Sequence, residues 1–534
     1  MVVASFAVVV LGWIAILPGS TGSDEPGHIV RSAAVVRGGL PDQGRVDIVF
    51  PTSYELPGWV GWPDPQCWAF KLDVPVNCST LVDAPEGDVL RGTRSSHYPI
   101  WGHLLPGLPS LVADGTISNQ FARVFHAVIP FMLVSAALAL AARRGRHAAG
   151  ATLLAITPVV VFNIATVNPS GLVIAGGIGL WASIAFTGRG QPVERWVPWL
   201  AAAAWAAVVL PRRDGLIYAC VILSIVFATG LRSPSELRRF AGRGPLIAGA
   251  LVVLVTLAWA VTSDADGTML LPVVPLLPVA VALGRAGVER SSLSARALTA
   301  LLVGVGVVGA VVAVGFVQWR DPALDTLKWR DIVAETGSDL FESFGVLGWL
   351  DAPMPASFGF LFVGAVGALV GVVGIVRPRA LVPVLVVLVT GILMSWWLTA
   401  SQVGGSAEYW QGRYYLPLLV GIPILLGSVR DVDRIDPTGR LARGVGVVAA
   451  IVSTFALAAA MRRFAVGIDG TMAPWRWHTF GASVSPLFPL IIITAGWVAL
   501  LWSLDRLVTA NGGSAEAPPS TDRAPVASVV EEIV

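Results

Sequence analysis

The stretch Ser23-Asp24-Glu25-Pro26-Gly27-His28-Ile29-Val30-Arg31 gathers the residue types that move protons. Ser23 or Asp24 can cap a helix, Pro26 is tolerated in a first turn, and Gly38-Gly39 can end the helix. The spacing therefore predicts a short helix from Glu25 to Arg37. At about 3.6 residues per turn, Asp24, His28 and Arg31 stack an acid, an imidazole and a guanidinium on one stripe. A carboxylate so placed at an apolar boundary is preorganised and partly desolvated. It suits a general base or a metal ligand, with Glu25 and His28 in support. The structural reading of the same residues is an N-capping acid with a solvated salt bridge.

Three further groups carry charge with a purpose. In Gln411-Gly412-Arg413-Tyr414-Tyr415, Arg413 can make a forked contact to phosphate oxygens, and Gln411 and Tyr414 add hydrogen-bonding groups at headgroup depth. An interfacial anchor needs the same residues. In Pro211-Arg212-Arg213-Asp214 two arginines occupy a very short turn, which implies a nearby anion, either a lipid headgroup or a carrier phosphate, or a different span count. Asp264-Ala265-Asp266 is a D-x-D pair that, like Asp24, is a candidate ligand for a divalent metal, although two acids in one turn are common by chance. Gly304-Val305-Gly306-Val307-Val308-Gly309 matches a dinucleotide pattern but lies in an apolar run with no preceding strand, where small residues serve helix packing.

The elements that must hold these residues are transmembrane helices. Of 534 residues, 55% are apolar and only 13% charged, about half the charge of a soluble domain. A net charge of +2 gives no basic field, so a nucleic-acid partner is excluded. Runs of about 20 apolar residues identify about 14 spans, with a range of 11–14. They lie near Val2–Leu17, Gln120–Ala142, Gly150–Ala165, Ser170–Phe186, Val197–Leu210, Asp214–Leu231, Leu246–Val261, Thr268–Leu283, Ala297–Val317, Ser357–Val376, Ala380–Thr399, Tyr414–Gly427, Val445–Met461 and Val484–Leu504. Short loops on the side shared by the termini hold 18 arginines against six on the other, so both termini are expected in the cytoplasm. The expected fold is an all-α polytopic protein of the plasma membrane over residues 1–509, with outward loops 18–119 and 318–356 and a disordered cytoplasmic tail, 510–534. Cys67 and Cys78 fall in the first outward loop, where disulfides persist, and are expected to pair.

The opening motif resembles that of a bacterial family of uncharacterised polytopic membrane proteins common in actinobacteria. So do Val167-Asn168-Pro169-Ser170-Gly171-Leu172, Glu342-Ser343-Phe344-Gly345-Val346-Leu347-Gly348-Trp349-Leu350-Asp351 and Gln411-Gly412-Arg413-Tyr414-Tyr415-Leu416-Pro417. Its wider resemblance is to the GT-C glycosyltransferases, membrane enzymes that take sugars from polyprenyl-phosphate carriers and keep an acid in the first outward loop. Asp24 and Glu25 match that acid. The resemblance implies a GT-C-like transferase with membrane lipid, a polyprenyl-phosphate sugar donor and an envelope glycan or lipid acceptor as partners. Asp24 would deprotonate the acceptor or orient it through a metal, and Arg413, with Arg31, Arg212 and Arg213, would hold phosphate. A lipid-linked glycan flippase would use the same arginines without chemistry, and a non-catalytic envelope-assembly protein would retain only the body. Charges here cluster at span ends, which favours a surface site over a translocation path.

Overall fold

Proline and glycine decide where the apolar runs break. The computed structural model describes residues 1–39, 52–81, 83–187, 193–262, 274–290, 326–401, 411–477 and 487–513. The first run forms α1 (Val2–Ile16), and α2 (Glu25–Val36) follows after a tight turn, close to the expected Glu25–Arg37. Within the expected outward loop 18–119 come a two-stranded antiparallel sheet, β1 (Thr52–Pro57) with β2 (Asp88–Thr93), and the short α3 (Leu104–Gly107). Then comes α4 (Thr116–Arg144), 29 residues long. The next run breaks at Thr157-Pro158, since the residue before proline avoids helical geometry and proline is suited to a first helical position. The result is α5 (Arg146–Ala155) and α6 (Pro158–Ala165), bent by 64°. Asn168 then caps α7 (Pro169–Ala185), its Oδ1 accepting the Ser170 N–H at 2.9 Å.

Helix α7 is buried on every side from Pro169 to Ile184, as a helix apolar all round must be, and packs against α4 and against α8 (Trp196–Val209). Next come α9 (Gly215–Thr229), α10 (Pro234–Ala241), α11 (Arg243–Thr262) and α12 (Leu276–Arg290). The stretch expected as the second outward loop contributes α13 (Thr326–Gly345) and a hairpin of β3 (Val346–Leu347) and β4 (Ala352–Pro353). The remaining helices are α14 (Ala356–Val376), α15 (Leu381–Ser401), α16 (Leu416–Leu419), α17 (Gly421–Gly427), α18 (Val432–Ile435), α19 (Arg440–Val466) and α20 (Leu487–Gly513). Helix α20 pairs with α1, and α19 with α5, bringing the two ends of the sequence together.

Each expected span has a helix or a broken helix at its place, except Ala297–Val317, which lies outside the described residues, as do Asp264, Asp266 and Gly304–Gly309. The count is another matter. Among the described residues five helices are long and apolar enough to cross a membrane, or up to seven if each bent pair is one span, and the other apolar helices are shorter, at 10–17 residues. Helix α20 continues to Gly513, so residues 510–513 of the expected tail are helical, and 514–534 lie outside the described residues.

Candidate functional site

Asp24 ends the turn before α2 with φ 60°, a left-handed backbone that side-chain-bearing residues rarely adopt. It occupies the N-cap position, yet its side chain makes no capping bond. Its carboxylate meets Arg413 instead: Nη2 donates to Oδ2 at 3.0 Å, across a sequence separation of 389. The arginine side chain is 7% exposed and the aspartate 49%, so the carboxylate is held from the protein side and open on the other.

The geometry around Arg413 follows from close backbone packing. Gly412 lies so tightly against Glu342 and Ser343 at the end of α13 that a Cβ has no room, and its N–H donates to Glu342 Oε2 at 3.1 Å. The Tyr414 carbonyl accepts from the Tyr218 hydroxyl of α9 at 2.7 Å. Tyr415 and Ser395 of α15 share a hydroxyl–hydroxyl contact at 2.5 Å.

Arg212 joins this cluster. Its guanidinium sits 4.7 Å from the Tyr414 ring centroid and 5.4 Å from that of Tyr98. It donates to both carboxylate oxygens of Asp214 at 2.8 and 2.9 Å and to Ser170 Oγ at 3.0 Å. The anion implied by two arginines in one turn is thus met, for Arg212, by Asp214 from the same turn. Arg213 diverges, donating to the His97 carbonyl at 2.9 Å and lying over the Trp259 ring.

The stripe of Asp24, His28 and Arg31 does not act as one unit. Arg31 donates to the Tyr54 hydroxyl at 2.6 Å, because β1 packs on that side of α2. His28 is buried, edge-on to Tyr98 at 5.1 Å and stacked on His103 at 5.5 Å. Burial first, then His103, Arg413, Arg212 and His97, holds the His28 imidazole well below its usual range, so it is neutral. Burial followed by Arg31 takes His103 down to about 3, and burial lifts Tyr98 up to about 12. Among the described residues, His28 Nδ1, Arg413 Nε and Gln411 Oε1 are buried here with no hydrogen-bond partner. Such atoms carry a desolvation cost that a ligand can relieve.

Glu25 takes a separate path from its neighbour. It is fully buried, its two oxygens receiving Arg123 Nε and Nη2 at 2.7 Å each, the Gly22 N–H at 3.1 Å and the Val167 N–H at 3.0 Å. Arg123 also donates to the carbonyls of Leu17 and Pro18. One ion pair therefore ties the end of α1, the start of α2, the α6–α7 link and α4 together. Expected as support for a base, Glu25 is placed as the anchor of the turn that presents Asp24. Behind it, Asn168 Nδ2 donates to the Ser23 carbonyl at 2.9 Å, and Ser23 Oγ to the Gly348 carbonyl at 2.5 Å.

Cys67 and Cys78 are joined, with Cα atoms 6.2 Å apart. Arg463 of α19 fixes that segment by donating to the carbonyls of Trp68, Lys71 and Val74 and pairing with Asp351 at 2.7 Å, both side chains 1% exposed. Among the described residues no group of three or more His, Cys, Asp or Glu is arranged to hold a metal ion.

Sequence reasoning missed Arg123, Tyr98, His103 and the contact of Glu342 with Gly412. A signal existed for Arg123, a lone guanidinium inside the apolar run Gln120–Ala142, where a charge needs a partner. Nothing in the local pattern marks Tyr98 or His103, which reach the site through an irregular loop.

A family model described as "Predicted membrane protein (DUF2142)" matches residues 6–422. No curated protein matches the chain. Among solved structures, the chain is similar to the oligosaccharyltransferase of Archaeoglobus fulgidus in its apo form, at 13% identity and a TM-score of 0.42, over 96% of this chain and 55% of that one. The chain thus spans about half the length of that enzyme.

Proposed function

The chain belongs to the DUF2142 family of predicted membrane proteins, and from the site that this multi-pass protein assembles we propose that it is a GT-C-like glycosyltransferase. In this reading it moves a sugar from a polyprenyl-phosphate carrier to an envelope acceptor on the outward face of the plasma membrane. One observation supports it above the others: a half-exposed carboxylate, Asp24, in contact with a buried guanidinium, Arg413, from the far end of the chain. Asp24 accepts the proton of the acceptor hydroxyl as its oxygen attacks the anomeric carbon. The bond from that carbon to the carrier oxygen breaks, its electron pair stays on the phosphate, and Arg413 meets the growing charge. Arg212, already neutralised by Asp214, braces Tyr414 and Tyr98 rather than binding phosphate itself. A carrier phosphate competes with Asp24 for Arg413, so donor binding frees the base.

Purified protein incubated with a panel of polyprenyl-phosphate sugars is expected to release free carrier phosphate. Arg413→Ala is expected to lower that rate by about 100- to 1,000-fold, as loss of a charge-stabilising donor does. Sugar translocation across vesicles without carrier release would assign the protein to transport instead.

A further inference from the structure

The segment from Ile100 to Val112 shows its apolar residues to the outside. Ile100, Trp101, Leu104, Leu108, Leu111 and Val112 are exposed, Val112 at 88%. Ile100, Leu104, Leu108 and Leu111 are spaced by four, four and three, which puts them on one side of α3 and its flanking turns, with Trp101 and Val112 beside them. The opposite side is built into the site. His103 is buried against His28, and Gly107 sits so close to the Ser32 carbonyl and Val36 of α2 that no side chain would fit. Gly102 abuts Pro211, next to Arg212. Arg37 at the end of α2 donates to the hydroxyl and the carbonyl of Ser110.

Two observations say what covers the apolar side. Beyond the turn that carries the exposed Asp114, an exposed apolar row resumes on α4 as Ile117, Phe121, Phe125, Val128 and Met132, spaced by four, four, three and four. Helix α4 is apolar and long enough to cross a membrane, and α3 packs on it, so the two rows form one surface. The segment also has no Asp, Glu, Lys or Arg between Arg94 and Asp114, which leaves no charge for a protein partner to read and suits hydrocarbon. We propose that Ile100–Val112 is seated in the membrane, its exposed side among the acyl chains of the leaflet at the Asp24 end, with Trp101 at the headgroup level. The site then rests on an element in the lipid, and its floor is fixed relative to the bilayer. This placement stands whether or not the site transfers sugars.

Single cysteines at Leu104, Leu108 and Leu111, each carrying a nitroxide, test it in the full chain reconstituted in phosphatidylcholine–phosphatidylglycerol nanodiscs. Phe121→Cys serves as the lipid reference and Glu86→Cys, on an exposed turn, as the aqueous one; Cys67 and Cys78 stay paired and Cys220 is buried. Collision with oxygen should exceed collision with a water-soluble nickel chelate at all three positions, shifting the ratio to the Phe121 value. A ratio at the Glu86 value would overturn the proposal by placing the face in water. Exclusion of both reagents with an immobilised label would overturn it too, by showing a second chain on the face. The three positions are all on the exposed side, so a failure to fold at one leaves the others to decide.

Discussion

Asp24 and Glu25 are adjacent acids, each paired with one arginine, and they do opposite work. Glu25 receives four donors in full burial and binds four segments of backbone. Among the described residues Asp24 receives one donor, Arg413; its side chain is half exposed and it sits on a left-handed backbone that costs stability. An acid that accepts every hydrogen bond it can is architecture. One that leaves lone pairs open, on a strained residue held in place by its neighbour, is available for chemistry. Breaking the buried pair should therefore damage the fold, and altering the open one should damage activity alone.

The largest effect is expected from Glu25→Ala. It leaves the Arg123 guanidinium charged and unpaired in the interior, which costs about 3–5 kcal/mol. Thermal unfolding in detergent should show a large fall in Tm or no folded protein. The double variant Glu25→Ala, Arg123→Met should not restore it, because the Gly22 and Val167 N–H groups and the Leu17 and Pro18 carbonyls lose their partners as well. A double variant as stable as the parent would show that the pair, and not the network, holds the turn.

Asp24→Asn isolates the other half of the comparison. Asparagine keeps an amide oxygen that can accept from Arg413 Nη2, so the buried guanidinium retains its hydrogen bond and Tm should fall by less than in Glu25→Ala. Sugar transfer, if Asp24 is the base, should fall by about 100- to 10,000-fold. Full activity in this variant would remove Asp24 from the reaction and leave Arg413 as a binding group only. Asp24→Gly sharpens the contrast further. Glycine takes φ 60° at little cost, which offsets part of the loss of the carboxylate that pairs with buried Arg413, so Tm should fall by less than in Glu25→Ala while sugar transfer is lost.

How far the sequence discloses this contrast depends on the residue. The helical segments, among them α2 with Pro26 in its first turn, are legible because apolar periodicity and turn chemistry act over short distances, and the four motifs are legible through the family resemblance they carry. All four motifs converge on the Asp24–Arg413 end: Ser23 bonds to Gly348, Asn168 to Ser23, Gly412 to Glu342 and Arg413 to Asp24. What spacing cannot tell is which of two neighbouring acids turns inward. A helical stripe groups Asp24 with His28 and Arg31, but their partners are set by long-range packing of β1 on α2 and of the Tyr98 loop over it. Span number is hard to read for a related reason. Breaks such as Thr157-Pro158 divide one apolar run into pieces too short to cross alone, and composition does not distinguish a kinked span from two half-spans.

The last effect is a pH dependence set by the acids on α13 that back Arg413. Burial, with Glu342 and Glu335 adding repulsion, raises the Asp339 carboxyl to about 7. Burial also raises Glu342, opposed by the Gly412 N–H and by Arg413. The folded state therefore keeps the Asp339 proton over a range in which the unfolded chain, with an ordinary value near 4, has released it. Where the folded state binds more protons, stability falls as pH rises, so Tm should decline between about pH 4 and pH 7 and then level off. Asp339→Asn removes the cost of charging without changing shape. It should raise Tm at pH 8, leave it unchanged near pH 4, and flatten the slope between them. Because α13 carries Glu342 onto Gly412, a helix under less repulsion should also hold Arg413 more firmly. A pH slope unaltered by Asp339→Asn would assign the titration to another group and separate the acids of α13 from the Arg413 site.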